Sequence, residues 1–424
     1  MEWDKIYTQY MYSYPHKSAY RSVDRLDLSK WRNAFRERAM GLYFHIPFCK
    51  SKCGFCNLFS LTNVDRTSYT TYLDTIERHS LQMNREIDFT KTDFTSLVLG
   101  GGTPMILSEQ ELERIFLLTE KDYRFNFKKG FSVIESSPSA VEKRKLKLLE
   151  DHSFKRLSMG IQSFVDRELR TLERAEDPSI VYQALESIRK YDFEILNVDL
   201  IYGTPGQTAE SFLYSLKEAL KFEPEEFFLY PLYKQENARL YHKFMIDHRL
   251  QYELYRIGRD FLTSNGYHQL SMRSFSKKKA QNPDCGFENT LSLGCGGRSY
   301  FDELHFCEKY VSERADREFV YSRYLQKDDF LTDVTMFLLD EDERKRKYSI
   351  KNLLYITGLS EKDYHHHFGT DFLEDFGFVN DLIEKGQVDR KDRRLFLSPE
   401  GMGRSDHIGP MFMSQKVREK LGYE

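Results

Sequence analysis

Residues 49 to 56 read Cys-Lys-Ser-Lys-Cys-Gly-Phe-Cys, and this loop constrains the chain more than any other stretch. An apolar, β-prone run from Leu42 to Ile46 stops at Pro47, and a short polar turn then delivers Cys49, Cys53 and Cys56. Thiols at this spacing meet at one centre only if the loop wraps around it, and thiolates suit soft iron or zinc. Structural zinc takes four protein ligands, usually as two pairs far apart in sequence. No second Cys-x-x-Cys or His-x-x-x-His pair is present to complete such a set. A cubane iron–sulfur cluster held by three cysteines instead leaves one iron open to a cofactor or substrate. The cluster is the favoured reading. Structural zinc and a set of reduced, buried cysteines are the alternatives.

From residue 41 onward short apolar runs alternate with longer amphipathic ones, the pattern of βα units around a parallel sheet. Strands are expected at Leu42 to Ile46, Ser96 to Leu99, Phe131 to Glu135, Arg156 to Ile161, Ile195 to Ile201 and Glu226 to Tyr230. Helices are expected near Ser68 to Ile87, Glu109 to Lys121, Val141 to Asp151, Ser179 to Arg189 and Ala209 to Phe222. Ser108…Glu111 and Ser139…Glu142 have the spacing of capping boxes. Six such units make an α/β fold, an open, partial (β/α) barrel. Polar and glycine-bearing residues cluster just after the strands, where barrel enzymes place their sites. Gly100-Gly101-Gly102-Thr103-Pro104 reads as a tight turn or a ligand-cradling loop. Glu135 at a strand end is either a ligand for hydroxyls or a helix-cap partner. Asp199 inside an apolar strand is costly to bury without a partner, which reads either as a functional group or as a structural aspartate held by hydrogen bonds. Arg174 stands in a charged stretch, whose ordinary reading is solvated surface.

Composition narrows the partners. The 424 residues are 40% hydrophobic and 30% charged with a formal net charge of −3, so the chain lacks the basic footprint of a nucleic-acid binder. No stretch approaches the roughly 20 apolar residues that span a bilayer. The opening Met1-Glu2-Trp3-Asp4-Lys5-Ile6-Tyr7 lacks a secretory pattern, and a cytoplasmic location is expected. Cys285, Cys295 and Cys307 have no recognisable ligand spacing and are expected to be structural or free thiols rather than a second cluster site. Residues 1 to 40 are expected to be a surface extension with a short helix around Lys30 to Arg38. His365-His366-His367 is expected to be exposed helix surface, because adjacent helical positions point apart.

The cysteine spacing, with the aromatic Phe55 just before the last cysteine, resembles the radical SAM superfamily signature. Tyr43-Phe-His45-Ile-Pro47-Phe48-Cys49 narrows the resemblance to the oxygen-independent coproporphyrinogen III oxidase-like family, which includes oxidases, haem chaperones and haem-degrading methyltransferases. Arg156-Leu-Ser-Met-Gly-Ile-Gln162-Ser163-Phe164 and Asn197-Val-Asp199-Leu-Ile-Tyr-Gly203-Thr-Pro205-Gly206 are further matches. The resemblance implies a partial (β/α)6 TIM-like barrel and a carboxy-terminal, mainly helical, winged-helix-like domain. It also implies a [4Fe–4S] cluster on Cys49, Cys53 and Cys56, whose open iron chelates S-adenosylmethionine and whose electron yields a 5′-deoxyadenosyl radical. Tyr43, Phe55, Gly101, Gly102, Thr103 and Glu135 inherit cofactor contacts, and Gln162, Arg174 and Asp199 the side of a second ligand. The substrate implied is a small molecule of tetrapyrrole type, and the electron donor a protein such as flavodoxin or ferredoxin.

The resemblance divides the chain into an extension (1–40), the barrel (41–240), a closing segment (241–310) and the carboxy-terminal domain (311–424). The chain departs from the oxidases at Asn57-Leu58, where they carry another cysteine, and from the chaperones near Phe287-Glu-Asn-Thr-Leu. Two functions follow as expectations: a radical enzyme abstracting hydrogen from an organic substrate, and a cluster-containing haem chaperone without oxidase activity.

Overall fold

Parallel strands buried on both faces need runs of branched and aromatic residues, and helices between them need one apolar stripe. The computed structural model, which describes residues 11, 13–174, 176–233, 238–240, 242–279, 289–309, 311 and 314–421, arranges these runs as an open barrel. After an edge strand β1 (Arg21–Arg25) come β2 (Ala39–Ile46), β3 (Asp93–Gly101), β4 (Phe131–Ser136), β5 (Arg156–Gln162), β6 (Ile195–Tyr202) and β7 (Glu226–Pro231). β2 to β7 pair parallel in that order. Helices α1 (Arg66–Glu86), α2 (Glu109–Tyr123), α3 (Lys143–Asp151), α4 (Asp166–Thr171), α5 (Pro178–Ile188) and α6 (Ala209–Leu220) connect them. All six expected barrel strands form, and the partial barrel is the observed fold.

The sheet runs further than the barrel. α7 (His248–Ser264) leads to β8 (His268–Gln269) and β9 (Ser274–Ser276), which add antiparallel beyond β7. β10 (Thr290–Leu293) pairs parallel with β2. β11 (Arg298–Phe301), β12 (Leu304–Glu308), β13 (Thr332–Leu338) and β1 then continue antiparallel, giving a 13-stranded sheet. The expected division at residue 310 falls between β12 and β13, which are neighbours in this sheet. After α8 (Arg314–Gln326) and α9 (Glu341–Leu353) comes β14 (Leu359–Ser360), then α10 (Glu361–Phe368), α11 (Phe372–Asp375), α12 (Phe378–Glu384), β15 (Val388–Lys391) and β16 (Arg394–Leu397). The three strands pair antiparallel in the order β14-β16-β15, a winged-helix arrangement. His365, His366 and His367 lie exposed on α10, as expected. Among the described residues no helix is long and apolar enough to cross a membrane.

Three expectations fail for identifiable reasons. The Ser108…Glu111 capping box forms, but Ser139 caps no helix. Pro138 opens a separate 3-10 turn, Glu142 is extended as the cap residue of α3, and the Ser139 hydroxyl donates to Glu176 at 3.1 Å. Lys30 to Arg38 holds only a 3-10 turn, Ser29–Trp31, followed by further turns. The amino-terminal segment is no surface extension where it is described: Tyr14, Ala19, Leu28 and Phe35 are at most 1% exposed and belong to the main core.

Alternation along the barrel strands sets the inner face. In β5, Leu157, Met159 and Ile161 are fully buried, while Arg156, Ser158, Gly160 and Gln162 are partly buried on the opposite side. Register places Glu135 beside Ser158, Ser158 beside Asn197, and Asn197 beside Glu226, one polar row across the lumen.

The amino-terminal arm is fastened to the winged-helix domain. The Tyr14 hydroxyl donates to the buried Glu343 carboxylate and accepts from the Ser414 amide at 3.1 Å, while Ser414 Oγ donates to Glu343 at 2.7 Å. Tyr14→Phe strips a donor from a buried carboxylate and an acceptor from a buried amide. The expected cost is about 1–3 kcal/mol, read as a lowered melting temperature, and an unchanged melting temperature would show the arm to be loosely held.

Candidate metal and cofactor site

The cysteine loop is closed at its base by Phe48 and Leu61, which form a bridge. The Cys49 amide donates to Leu61 O at 2.9 Å and the Leu61 amide to Pro47 O at 2.6 Å. Within the loop the Cys56 amide donates to Cys53 O at 3.2 Å, and Gly54 is gripped from two sides. Its amide donates to Leu172 O at 2.9 Å and its carbonyl accepts from Leu240 N at 3.1 Å. A Cβ at Gly54 would lie 2.6 Å from Leu240, so only glycine fits. Phe55 packs against the apolar group of Leu172, Ile201, Leu232 and Leu240.

Cys49, Cys53 and Cys56 are free, partly buried thiols. Burial pushes the Cys49 thiol up to about 11, opposed by a bond from the Thr103 hydroxyl, and Cys49 also feels the sulfurs of Cys56 and Cys53. Burial likewise raises Cys53, opposed by the Arg174 guanidinium. Thr103 Oγ1 lies 3.6 Å from Cys49 Sγ, and Arg174 Nη1 lies 3.3 Å from Cys53 Sγ. Among the described residues no group of three or more His, Cys, Asp or Glu side chains is gathered for a single metal ion. A cubane takes each thiolate on a different iron, so thiols that share a loop without meeting at one point still fit it.

The glycine-rich turn after β3 is pressed against this loop. The Gly102 amide donates to Ile46 O at 2.7 Å and the Thr103 amide to Phe48 O at 2.8 Å. Gly101 has φ +112°, a conformation that favours glycine, and a Cβ at Gly102 would meet Phe48 O at 2.6 Å. Its backbone faces inward as well, since the Gly101 amide donates to Glu135 Oε2 at 3.0 Å. On the neighbouring strand the Tyr43 hydroxyl lies 3.2 Å from His45 Nδ1, and His45 Nε2 lies 2.8 Å from Phe59 O. Burial lowers His45 to about 4, so the ring is neutral and donates to Phe59 O while Nδ1 accepts from Tyr43.

The lumen holds carboxylates at three positions along their strands: Glu135 near the carboxyl end of β4, Asp199 midway along β6 and Glu226 at the start of β7. Burial raises Glu135 from 4.5 to about 7, against the Gly101 amide, and the nearby Asp199 raises it further. Burial raises Asp199 from 3.8 to about 6, opposed by a 2.7 Å bond from Asn197 Nδ2 and by the charges of Arg156 and Arg174. Arg156 pairs with Glu226 at 3.0 Å and lies over the Phe228 ring. Gln162 sits at a bulge of β5 with φ +76°, beside Gly160.

Arg174 is not the solvated residue its charged surroundings suggest. Its side chain is 7% exposed, pairs with Glu176 at 3.3 Å, and donates to Gly160 O as well as to Cys53. Arg156, Asn197, Glu226, Glu176 and His45 join the site without having been singled out from the sequence. The available signal was period-two placement of polar residues at 156 and 158 and at 197 and 199. Cys295 and Cys307 are buried free thiols beside the Tyr72 and Thr335 hydroxyls, and Cys285 lies outside the described residues.

Comparison with known proteins agrees with this geometry. Residues 43–219 match the radical SAM superfamily. They form a radical SAM domain. The oxygen-independent coproporphyrinogen III oxidase of Escherichia coli (strain K12) is 26% identical over 95% of this chain and 93% of its own length. The haem chaperone HemW of Bacillus subtilis (strain 168) is 24% identical over 88% of this chain and 99% of its own. The solved structure of the Escherichia coli coproporphyrinogen III oxidase shares the fold, with a TM-score of 0.82 at 23% identity over 95% of this chain and 96% of that one. The cofactors of a radical SAM domain are a [4Fe–4S] cluster and S-adenosylmethionine.

The raised carboxyls carry a pH signature in the cofactor-free protein. Their folded values, about 7 and about 6, exceed the ordinary 4.5 and 3.8, so between about pH 4 and 7 the folded state holds more protons than the unfolded. Stability therefore falls as pH rises through that window. Glu135→Gln/Asp199→Asn removes this loss, so its unfolding free energy should gain on the parent's between pH 5 and 8, by on the order of 2 kcal/mol. Scanning calorimetry across that range checks it, and a pH-independent difference would contradict the burial argument.

Proposed function

We propose that this chain is a radical S-adenosylmethionine enzyme that acts on a tetrapyrrole-type substrate, as an oxidoreductase related to the coproporphyrinogen oxidases. The observation that carries the reading is the convergence of a three-thiol loop and an anionic lumen at the same end of one barrel. Cys49, Cys53 and Cys56 hold the cluster, with Thr103 and Arg174 placed to donate to two of their sulfurs. When bound, the reduced cluster supplies the electron that cleaves S-adenosylmethionine to methionine and a 5′-deoxyadenosyl radical. Tyr43, Phe55, Gly101, Gly102 and Thr103 frame the cofactor. Glu135 and Asp199 supply negative charge, which suits the positive sulfonium and amino groups of that cofactor and explains why carboxyls stand in a buried position. Gln162, Arg174 and Asp199 face the second-ligand side. The apolar group around Phe55 and Leu240 screens the site from water.

Free thiols and an oxygen-sensitive cluster require a reducing compartment, which supports a cytoplasmic location. A flavodoxin or ferredoxin is the fitting source of electrons.

A second reading, a cluster-bearing haem chaperone, is favoured by Asn57-Leu58 after Cys56 and by the full-length match to HemW. Anaerobic reconstitution followed by iron and sulfide analysis, a 5′-deoxyadenosine assay and haem titration separates the two. Stoichiometric cluster with deoxyadenosine and consumption of coproporphyrinogen III is expected. Stoichiometric haem binding without turnover would favour the chaperone. The triple variant Cys49→Ala/Cys53→Ala/Cys56→Ala should bind no iron, and retained cluster absorbance would sink both readings.

A further inference from the structure

A cavity of about 560 Å³ opens outside the barrel, between the β1 edge of the sheet and α8. Residues of β1, β13 and the end of β12 line one side, and Phe319, Val320, Arg323 and Lys327 of α8 line the other. None of its lining residues belongs to the cysteine loop or the lumen. Its size lies within the roughly 300–1,000 Å³ of small-molecule sites.

The charges around this cavity are sorted into pairs, with two exceptions. Glu308 and Lys327, whose side chains are 9% and 8% exposed, meet at 2.8 Å, and Lys327 also donates to Thr332 O at 2.8 Å. A buried pair of this kind adds little stability over apolar packing, but it fixes the exit of β12 against α8. Arg323 pairs with Asp333, and Arg25 with Asp329 at 2.9 Å and Glu86 at 3.4 Å. Asp24 and Lys309 are left over. Both are exposed, and among the described residues neither side chain has an ion pair or a hydrogen bond. The register Val23–Val334–Glu308 sets each of them one residue further on, to either side of Asp333. Their Cα positions are thus about 10 Å apart, two interstrand spacings. The same cavity offers apolar surface at Val23, Val320 and Phe319, the last 62% exposed. A simple anion or a simple cation would answer only one of the two unpaired charges. A molecule that carries both, together with an apolar side chain, answers all three features.

We propose that this cavity binds a free α-amino acid with an apolar side chain. Asp24 accepts from its ammonium, Lys309 donates to its carboxylate, and its side chain lies on Val23, Val320 and Phe319. The site is independent of the radical chemistry proposed above and requires no cluster.

The test titrates the purified full chain with L-leucine by calorimetry, and one saturable site per chain is expected. L-leucinamide lacks the carboxylate and N-acetyl-L-leucine the ammonium, so each should bind at least about tenfold more weakly. Asp24→Asn and Lys309→Gln should each weaken leucine by a similar factor. Both variants should melt within about 2 °C of the parent, because the two side chains are exposed and unpaired. Lys309→Gln should also bind leucinamide as the parent does, since the carboxylate and its partner are then both missing, and a general distortion of the cavity would not spare the amide. No saturable binding of leucine, equal binding of leucine and leucinamide, or undiminished leucine binding in either variant would overturn the proposal; the last would place the amino acid elsewhere on the chain. Tighter binding of leucyl-leucine than of leucine would assign the cavity to a peptide and overturn it as well.

Discussion

The site depends on the close contact between the exits of β2 and β3. Gly102 N to Ile46 O and Thr103 N to Phe48 O continue the strand pairing past the sheet and weld the glycine turn to the start of the cysteine loop. That contact needs a residue without a side chain at 102 and a permissive backbone at 101. It places the Thr103 hydroxyl on Cys49 and leaves the Gly101 amide facing Glu135. A glycine run that reads as a ligand cradle is thus first a joint between two strands, and the positions of the Gly101 amide and the Thr103 hydroxyl are a consequence of that joint.

Arg174 links the two halves of the site. It leaves the turn after α4, passes Glu176, and ends between Gly160 O in the lumen and Cys53 Sγ in the loop. A buried guanidinium is tolerable there because it is paired with a carboxylate and bonded to a carbonyl. Its charge also opposes the rise of both Cys53 and Asp199, so one residue favours the ionised forms of a thiol and of a lumen carboxyl.

Much of this was legible in the chain because buried parallel strands leave a simple trace. The six apolar runs from Leu42 to Tyr230 each became a strand, and a polar residue inside such a run, Asp199, marked the lumen. Arg156 and Glu226 were opaque because they open their strands, where a charged residue reads as a boundary. Arg174 was named through the resemblance, but its burial was opaque because Gly160 and Cys53 are 14 and 121 residues away, beyond any local window. β11, β12 and β1 are only 4 or 5 residues long and take their stability from neighbours across the sheet, which also hid the burial of the amino-terminal arm. Ser139 failed as a cap because Pro138 commits the chain to a separate turn before the helix begins.

The extended sheet gives the lumen face two electrostatic characters. Register carries the inner face from Gly41 through Thr290 to Tyr300 and His305. Here the polar groups are basic: Arg298 donates to Ser13 Oγ at 2.8 Å and Pro15 O at 3.2 Å, and the Lys347 amine lies 3.0 Å from His305 Nε2. Burial lowers Lys347 to about 8 and holds His305 well below its ordinary value, so the amine is the charged member and donates to the ring. The β4–β7 side instead carries Glu135, Asp199 and Glu226. The carboxylates of the barrel side are countered by Arg156 and Arg174, whereas the basic groups of the extension find their partners in the arm, at Ser13 and Pro15, and on α9, at Lys347, so the arm and α9 complete the inner face at that end.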